Sequence, residues 1–434
     1  MTRPVISLKP SYNSIIRGCP GLPETLPRLE CELRIRSSDG KELYIESVEV
    51  VLKSTESLHN SGHSFTTRPK VEKTAVHYRK NIKVSDKKLI GIDIPLTIAV
   101  PDDIKETNFN SRFGHSYTTF ECRTTYYTVA GNTLQETFTT AVYVERYDLI
   151  ASPKHTLPLS RMYHSPDKRV QVKYEVQNPC VSTDDLLHLK LDIIPNLSSS
   201  AFSSSTRHFS KRLKLKTVTF EIKEYLETFD SHYDSRENII HTMTKPFNEV
   251  VPKSGIQFEA DVRIFTKNLQ FKQYEMSLNE PAVLYRLPEH PPALNERPPE
   301  TVLLKSKKDL EPFHYHSSIT THGRLFSVTH GITIKFKIGN AKDFELHQPI
   351  DISPWVKTQM KHIENSIARE TGVANNARAF YDSFGGIRRR KSSGELEYPP
   401  LPPIVYSADA STLKSLGINY NTNFKTPKRV LVIE

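Results

Sequence analysis

Apolar and polar residues alternate with great regularity between residues 89 and 100. Six apolar side chains fall on one face of this segment: Ile90, Ile92, Ile94, Leu96, Ile98 and Val100. Because successive side chains of a β-strand point to opposite faces, the pattern predicts a long strand with one buried face. Residues 332–338 repeat the pattern, with isoleucine and phenylalanine alternating with threonine and lysine. Each half of the chain therefore predicts a β-sandwich of its own.

Similar strand-like segments fill the rest of both halves, and no helical period separates them. In the first half, residues 113–129 and 134–144 predict a hairpin closed through Gly131-Asn132, a typical turn signal. Strands repeated at this spacing are typical of antiparallel sandwiches. We therefore predict an all-β fold class, with two tandem antiparallel immunoglobulin-like β-sandwich domains.

Segments without periodicity give the predicted domain boundaries. Three prolines interrupt the pattern between the two halves, at Pro153, Pro158 and Pro166. The parts that we predict are a first sandwich at 1–148, an interdomain linker at 149–168, a second sandwich at 169–352 and a tail at 353–434. The second sandwich carries a serine-rich insertion near 198–210. It also carries a proline-rich insertion near 273–312, since so many prolines cannot continue a central strand.

The tail is predicted to begin with a helix. Ser353 is a good N-cap, and Pro354 suits the first helical position. Apolar residues then recur at helical spacing, so we predict a short C-terminal helix that ends at Gly372. The rest of the tail is polar and rich in proline and basic residues, and we predict that most of it is disordered.

The net charge favours acidic partners without choosing among them. Lys and Arg number 59 against 49 for Asp and Glu, which gives a formal charge of +10. Anionic lipid, acidic peptide and nucleic acid would all be attracted to such a protein. The basic residues are spread along the chain rather than gathered with aromatic side chains. A basic nucleic-acid binder is therefore the least favoured of our binding hypotheses, and we expect no nucleic-acid partner.

Targeting signals and cysteine motifs are not found in the sequence. No apolar run of signal-peptide length follows Met1, and no stretch of about 18 apolar residues occurs. The four cysteines form no CxxC pair, and Cys31 and Cys122 alternate with strand residues as small core side chains do. We expect a cytoplasmic protein that reaches the plasma membrane or endosomes only peripherally.

The common catalytic and nucleotide-binding motifs are also missing. The sequence contains no GxGxxG, GxxxxGK, HExxH or GxSxG. His314 and His316 form an HxH pair without further ligands at metal-binding spacing, so a polar loop is the better interpretation. Cys19 lies in a Gly-Cys-Pro-Gly turn without an identifiable base, and such cysteines are usually inert. We predict no enzyme activity, no cofactor and no metal.

Basic residues cluster where the serine-rich insertion meets the next strand. The patch consists of Arg207, Lys211, Arg212, Lys214 and Lys216, with His208 among them. Since Lys214 and Lys216 alternate with leucines, one face of a strand would carry their charge. Two interpretations stay open: a surface that holds phosphoinositide headgroups or an acidic peptide, and an ordinary solvated face.

Two serines follow a basic run in the tail. Arg389-Arg390-Lys391-Ser392 matches the substrate pattern of kinases that prefer upstream basic residues, and Ser393 comes next. Phosphorylation would add about two negative charges beside these cations and would change what this part of the tail binds. Ser392 and Ser393 are therefore candidate phosphorylation sites.

A proline segment lies further along the tail. It consists of Pro399, Pro400, Leu401, Pro402 and Pro403, and Tyr406 follows it. Such runs preform a polyproline II helix and dock on the aromatic grooves of WW-type domains at low entropic cost. We favour partner recognition by this segment, and a plain spacer is the alternative.

Five segments together resemble a known family. They are residues 94–101, 120–127 and 142–146 in the first half, and residues 327–336 and 344–350 in the second. They are similar to the proline-terminated strand, the hairpin and the exit strand of the arrestin amino domain, and to the closing strands of its carboxyl domain. The chain thus resembles the arrestin fold and, within it, the fungal α-arrestins, or arrestin-related trafficking adaptors. The resemblance spans residues 5–352.

This resemblance implies a non-enzymatic adaptor. α-Arrestins link membrane transporters, their cargo, to a HECT ubiquitin ligase with WW domains, so that the cargo is ubiquitinated, endocytosed and sorted. The ligase is usually bound by a PPxY motif, whereas Pro402-Pro403-Ile404-Val405-Tyr406 has one residue too many. Residues 399–402 instead resemble the PPLP class of WW ligand. The alternative is therefore an arrestin-fold scaffold or sorting-complex subunit that recruits no ligase directly.

Overall fold

The structure is a computed structural model. It describes residues 2–10, 16–58, 71–84, 89–110, 114–128, 131–152, 154, 156–182, 185–196, 212–229, 235–264, 319–355, 357, 360–391 and 394–406. Both predicted insertions, near 198–210 and near 273–312, lie outside these residues.

The first domain is an antiparallel β-sandwich. Its strands are β1 (Pro4–Pro10), β2 (Ile16–Arg17), β3 (Arg28–Ser37), β4 (Tyr44–Leu58), β5 (Val71–Lys83), β6 (Gly91–Ala99), β7 (Asn108–Asn110), β8 (Gly114–Tyr127) and β9 (Thr133–Val142). One sheet has the order β1-β3-β6, with β2 beside β3. The other has the order β5-β4-β8, with β7 and β9 beside β8. Apolar side chains of both sheets, such as Leu33, Val50 and Phe120, form one core between them.

Strand β6 is the strand that the alternation at residues 89–100 predicts. Ile92, Ile94, Leu96 and Ile98 all lie in the core, so the buried face is confirmed. The other face differs from a simple solvent-exposed face, since Asp93 is also buried. Tyr406, from a distant part of the chain, binds the Asp93 carboxylate and covers it.

The second domain repeats the architecture. Its strands are β10 (Leu159–His164), β11 (Val170–Val176), β12 (Cys180–Ser182), β13 (Leu186–Pro195), β14 (Lys214–Thr228), β15 (Arg236–Val250), β16 (Ile256–Arg263), β17 (Thr321–His322), β18 (Phe326–Gly339) and β19 (Phe344–Ser353). One sheet has the order β10-β11-β13-β16, and the other has the order β12-β19-β18-β14-β15, with β17 beside β18. The pair β12–β19 is parallel. The predicted strand at 332–338 lies within β18.

These two sandwiches confirm the predicted all-β class. The core of the second domain lies between its sheets and contains Val172, Leu189, Phe220 and Ile334. The architecture is compatible with the arrestin fold that the sequence resemblance implies.

The predicted linker at 149–168 is partly structured. Residues 159–164 form β10, which pairs along its whole length with β11. Five of the six β10 residues are exposed, on both faces of the sheet. A strand without a buried face produces no apolar alternation, so the sequence pattern could not reveal it.

One α-helix lies among the described residues, α1 (Met360–Asp382). It begins later than the predicted start at Ser353 and Pro354, because Ser353 is the last residue of β19 and its hydroxyl donates to the Leu149 carbonyl. It also extends past Gly372, where we predict its end, because a second run of buried residues follows. Met360, Ile363 and Ile367 pack on Cys19, Ile150 and Trp355. Ala374, Ala377 and Tyr381 pack on Leu26 and Tyr398. The helix therefore braces the interdomain connection at one end and the first domain at the other.

The chain after α1 is folded as far as Tyr406. It forms the short hairpin β20 (Arg388–Arg389) and β21 (Leu396–Glu397), and then β22 (Ile404–Tyr406). Strand β22 pairs with Gly91–Asp93 of β6 and extends the first sheet of the first domain. The prediction of a largely disordered tail is wrong for this part, because its contacts are with residues far away in the sequence. Residues 407–434 lie outside the described residues.

The two domains contact each other through polar and apolar side chains. The Glu56 carboxylate accepts hydrogen bonds from the backbone N–H groups of Arg324 and Leu325, each at 2.8 Å. Arg324 Nη2 donates to Asp103 Oδ2 at 2.8 Å. Apolar residues of both domains pack beside these contacts: Leu58, Leu226, Leu325, Phe326 and Val328. The interface thus joins the end of β4 to the β17–β18 turn.

A buried histidine should make the second domain sensitive to acid. His330 lies in β18, with its Nδ1 atom 3.2 Å from the Thr320 hydroxyl. Burial lowers the pKa of His330 to about 3. An unfolded histidine has a pKa of about 6.5, so the unfolded chain binds an extra proton between these values, and stability is lost as the pH falls through that window. We expect this one group to lower the free energy of unfolding by about 2 kcal/mol between pH 7 and pH 5.

Urea unfolding of the unaltered chain and of His330→Gln at both pH values measures this effect. The substitution should remove about 2 kcal/mol of the pH-dependent change. The same pH dependence in His330→Gln and in the unaltered chain would contradict the assignment.

Candidate interaction surfaces

The predicted proline segment is held against the first domain by a tyrosine at each end. Tyr398 is buried and meets Tyr381 edge-on, with ring centroids 5.0 Å apart. The buried Tyr406 hydroxyl donates to Asp93 Oδ2 at 2.8 Å. The Arg36 guanidinium lies 4.5 Å from the Tyr406 ring centroid and also forms an ion pair with Asp93. Residues 399–403 therefore span two fixed points.

Both anchoring tyrosines keep their protons at neutral pH. Burial is the main cause that raises the pKa of Tyr406 to about 12, and its hydrogen bond to the Asp93 carboxylate acts in the same direction. Burial likewise raises the pKa of Tyr398 to about 12. Tyr406 can thus act as a donor to Asp93, and its hydroxyl is not available to a WW domain while β22 stays in place.

The disordered setting expected for the proline segment is therefore wrong. Pro400, Pro402 and Pro403 are nevertheless exposed, while Pro399 and Leu401 are partly buried. Ile404 and Val405 are β-branched and suit a strand at the edge of a sheet. The prolines come before these paired residues, so they cost the sheet no hydrogen bond. Recognition of this segment by a WW-type domain stays a prediction.

A buried polar network fixes the C-terminal half of α1 to the first domain. The Tyr381 hydroxyl donates to Glu30 Oε1 at 3.0 Å and accepts from the Thr97 hydroxyl at 2.7 Å. Arg28 Nε donates to the same Glu30 oxygen at 3.1 Å. Because the buried charges of Arg28 and Glu30 depend on these partners, the network specifies where the helix docks.

A groove of about 1130 Å³ lies between β5, β6 and the end of the chain. Residues of the proline segment form part of its wall. The lining combines cations such as Arg324 and Arg378 with anions such as Asp103 and Asp382. Such a mixed lining favours neither an acidic nor a basic ligand, so the groove does not identify an occupant.

The predicted basic patch lies at the far end of the second domain. Arg212, Lys214 and Lys216 are exposed, and Leu215 between the two lysines is buried, as the alternation predicts. Arg207 and Lys211 lie outside the described residues. Whether the patch binds lipid or an acidic peptide stays a prediction.

Neighbouring loops extend the patch. Arg169 donates to the Asn340 carbonyl, and the Asn340 side chain donates to the Arg212 carbonyl. The Asp167 carboxylate accepts hydrogen bonds from the Ser165 hydroxyl and from the backbone N–H groups of Arg169 and Lys342. We call the combined surface the basic end of the second domain; it consists of Lys168, Arg169, Arg212, Lys214, Lys216, Lys253, Lys337 and Lys342.

The candidate phosphorylation sites Ser392 and Ser393 lie outside the described residues. The residues on either side are described: Arg390 N–H donates to the Glu395 carbonyl at 2.8 Å and closes the β20–β21 hairpin. Phosphorylation at this position stays a prediction.

None of the four cysteines lies in a setting that favours a reactive thiolate. All four cysteines are free and buried. Cys31 and Cys122 lie in the core of the first domain, as predicted. Burial, followed by the nearby Glu370 carboxylate, raises the pKa of Cys19 to about 12. Because the thiolate is the reactive form, Cys19 is a packing residue beneath α1.

The described ranges contain neither a cluster of metal ligands nor a membrane-spanning helix. No group of three or more metal-ligating side chains comes together there. No helix in those ranges combines the length and hydropathy needed to span a bilayer. His314 and His316 lie outside the described residues.

Sequence reasoning missed the residues that hold the tail. Asp93 is a polar residue in the most regular apolar strand, and Tyr381 lies in a mostly polar stretch. Each has its partner several hundred positions away in the chain: Asp93 and Tyr406 are separated by 313 residues. The sequence signal for Asp93 was its single carboxylate within a segment that otherwise has the pattern of a buried strand.

The chain is similar to a known protein along nearly its whole length. The chain is 37% identical to RHO1 GEF localizing protein 1 of Saccharomyces cerevisiae over 488 aligned positions, which cover 99% of this chain and 97% of that protein. No protein-family model matches the chain. The name of the yeast protein describes the localizing of a GEF for RHO1.

Proposed function

The chain belongs to the family of RHO1 GEF localizing protein 1, and from this premise we propose that it is a non-enzymatic adaptor that positions a Rho1-type GEF in the cell. The single observation that carries the proposal is identity of 37% along nearly the full length of both proteins. An adaptor needs one surface for its partner and another for the place where the partner is held.

The architecture supports such a role through rigidity. Helix α1 packs on the interdomain connection and on the first domain, and Glu56 binds the second domain directly. Surfaces on the two domains are therefore held in a fixed relation, which suits a protein that brings two partners together.

Direct binding and localization test the proposal. The purified full-length chain should bind the purified Rho1-type GEF of the same organism, and depletion of the chain should disperse a fluorescently tagged GEF from the place where both accumulate. A GEF that neither binds the chain nor moves after depletion would contradict the proposal. A GEF whose total amount falls on depletion would have to be re-expressed at the normal level before its position is scored.

The trafficking adaptor is the second candidate function. It is supported by the resemblance to α-arrestins and by the exposed Pro400, Pro402 and Pro403. A WW domain of a HECT ligase should then bind the full-length chain, and Pro402→Ala with Pro403→Ala should abolish that binding. Membership among the α-arrestins, transporter cargo and ubiquitin-dependent endocytosis are parts of this proposal.

Peripheral attachment to a membrane completes the proposed role. The basic end of the second domain would attract anionic lipid by about 1 kcal/mol for each cation near the surface. A cytoplasmic protein held in this way could place its partner at the plasma membrane or at endosomes. Sedimentation with phosphatidylserine vesicles at low and high salt measures this attachment.

A further inference from the structure

We propose that β10 is a docking edge, to which an extended segment of the GEF with acidic and apolar side chains adds as a further strand. The inference rests on the proposed function, since it names the surface of this chain that the GEF would occupy. Strand addition uses the backbone hydrogen-bonding groups of a sheet edge for affinity and the side chains for specificity.

Strand β10 has the geometry of an open edge. All six of its residues pair with β11, in a register that runs from Leu159 opposite Val176 to His164 opposite Gln171. It is the outermost strand of its sheet, so within the described residues no strand pairs with its other side. Such an edge presents backbone N–H and C=O groups that can pair with another chain.

Exposed apolar side chains are concentrated along this edge. Leu157 is 82% exposed, Met162 59% and Tyr163 40%. Scattered apolar residues on a surface need no explanation, but Met162 and Tyr163 on an open edge, with Leu157 two residues before it, mark a contact surface. The Tyr163 ring stacks on Phe344 of the opposite sheet, with centroids 6.0 Å apart. The apolar surface therefore continues toward the other sheet of the sandwich.

The charge beside β10 selects an acidic segment. Arg161 lies on the strand, and Lys173 lies opposite Met162 on β11. Lys168 and Arg169 follow in the β10–β11 turn and belong to the basic end of the second domain. Glu175 lies at the other end of the strand, opposite Ser160. An added strand would thus place its acidic residues toward the turn.

A polypeptide fits this edge better than a membrane does. Met162 and Tyr163 are neighbours in a strand, so their side chains point to opposite faces of the sheet. A planar lipid surface could cover only one of them, and headgroups would leave the backbone groups of the edge unpaired. An added strand covers both side chains and pairs with the backbone.

Binding of the purified GEF to the full-length chain tests the inference. Met162→Glu and the double variant Arg161→Glu with Lys173→Glu should each weaken binding about tenfold. Ile239→Glu is the matched control for the first, since Ile239 is 57% exposed on β15, an edge strand of the other sheet. Lys41→Glu with Lys83→Glu, both exposed on the first domain, is the control for the second. The controls should bind as the unaltered chain does.

Hydrogen exchange gives a second, independent measurement. Amides of residues 159–164 should exchange more slowly when the GEF is bound, whereas amides of β15 should not change. An unaltered melting temperature in each variant shows that the fold persists.

The outcomes separate this inference from the proposed function. Failure of the unaltered chain to bind the GEF contradicts the proposed function and, with it, the docking edge. Equal binding by the unaltered chain and by both edge variants contradicts the docking edge alone. If the double variant loses binding to phosphatidylserine vesicles while Met162→Glu keeps full GEF affinity, the cations serve a membrane and the strand-addition proposal is overturned.

Discussion

Replacing Ala377 with aspartate should release α1 from the first domain and lower the free energy of unfolding by about 3–5 kcal/mol. Ala377 is fully buried on the helix face that, together with Tyr381, packs on Leu26 and Tyr398. A carboxylate at this position would be taken out of water without a charge partner, which is among the most costly changes a core can undergo. The helix must then either leave the domain or carry a strongly unfavourable charge.

Urea denaturation of the full-length chain measures the loss. Asn376→Asp is the matched control, because it adds the same charge at the preceding, exposed position of the helix. The control should change the unfolding free energy by no more than about 0.5 kcal/mol. Limited proteolysis should also cut residues 383–406 of Ala377→Asp sooner. Equal stability of the two variants would show that α1 does not depend on this contact.

The strands of the two cores were predictable because burial leaves a local trace. In β6 and β18, alternate side chains enter a core, so the apolar period appears within a few consecutive residues. These elements are encoded by contacts whose pattern is visible in a short window of sequence. The helix start that Ser353 and Pro354 predict was wrong, because Ser353 is the last residue of β19 and α1 begins at Met360.

The folded tail was not predictable by the same means. Strand β22 has three residues, too few to establish a period, and its partner strand β6 lies more than three hundred positions earlier. Its anchors are polar: Tyr406 binds Asp93, and Tyr381 binds Glu30. A composition of proline, serine and basic residues suggests disorder, whereas a few tyrosines with distant partners are enough to hold the segment.

The proposed docking edge was hidden for a related reason. Strand β10 has no buried face, so its residues resemble a linker in sequence. Strand β10 is distinguished by its position in the fold, at the edge of a sheet and beside the basic end of the second domain. Sequence reasoning found part of that basic end, in Arg212, Lys214 and Lys216, but not the strand that leads to it.

The second large effect concerns the contact between the domains. Gly323 lies in the β17–β18 turn, and its N–H donates to the Phe326 carbonyl at 2.9 Å. A Cβ atom on residue 323 would overlap the Phe326 backbone oxygen and the Glu56 carboxylate. The backbone oxygen cannot rotate away, so the turn itself must shift.

Gly323→Ala should therefore weaken the joint between the domains by about 3 kcal/mol, through overpacking and through loss of the charged hydrogen bonds at Glu56. Those bonds join the Glu56 carboxylate to the backbone N–H groups of Arg324 and Leu325, which move with the turn. Calorimetry should resolve two unfolding transitions in this variant where the unaltered chain shows one, because the domains then unfold separately. Small-angle scattering should show a larger radius of gyration.

Gly339→Ala is the matched control for this prediction. Gly339 ends β18, and an added Cβ atom would lie 3.4 Å from the flexible side chain of Lys216, an ordinary contact distance. Its substitution should leave both the transition and the scattering unaltered. If Gly323→Ala behaves as this control does, the Glu56 contact is not what fixes the domains. The rigid relation between them, on which the proposed adaptor role depends, would then have to come from α1 and from the other contacts between the domains, such as Arg324 with Asp103 and the apolar cluster around Leu58.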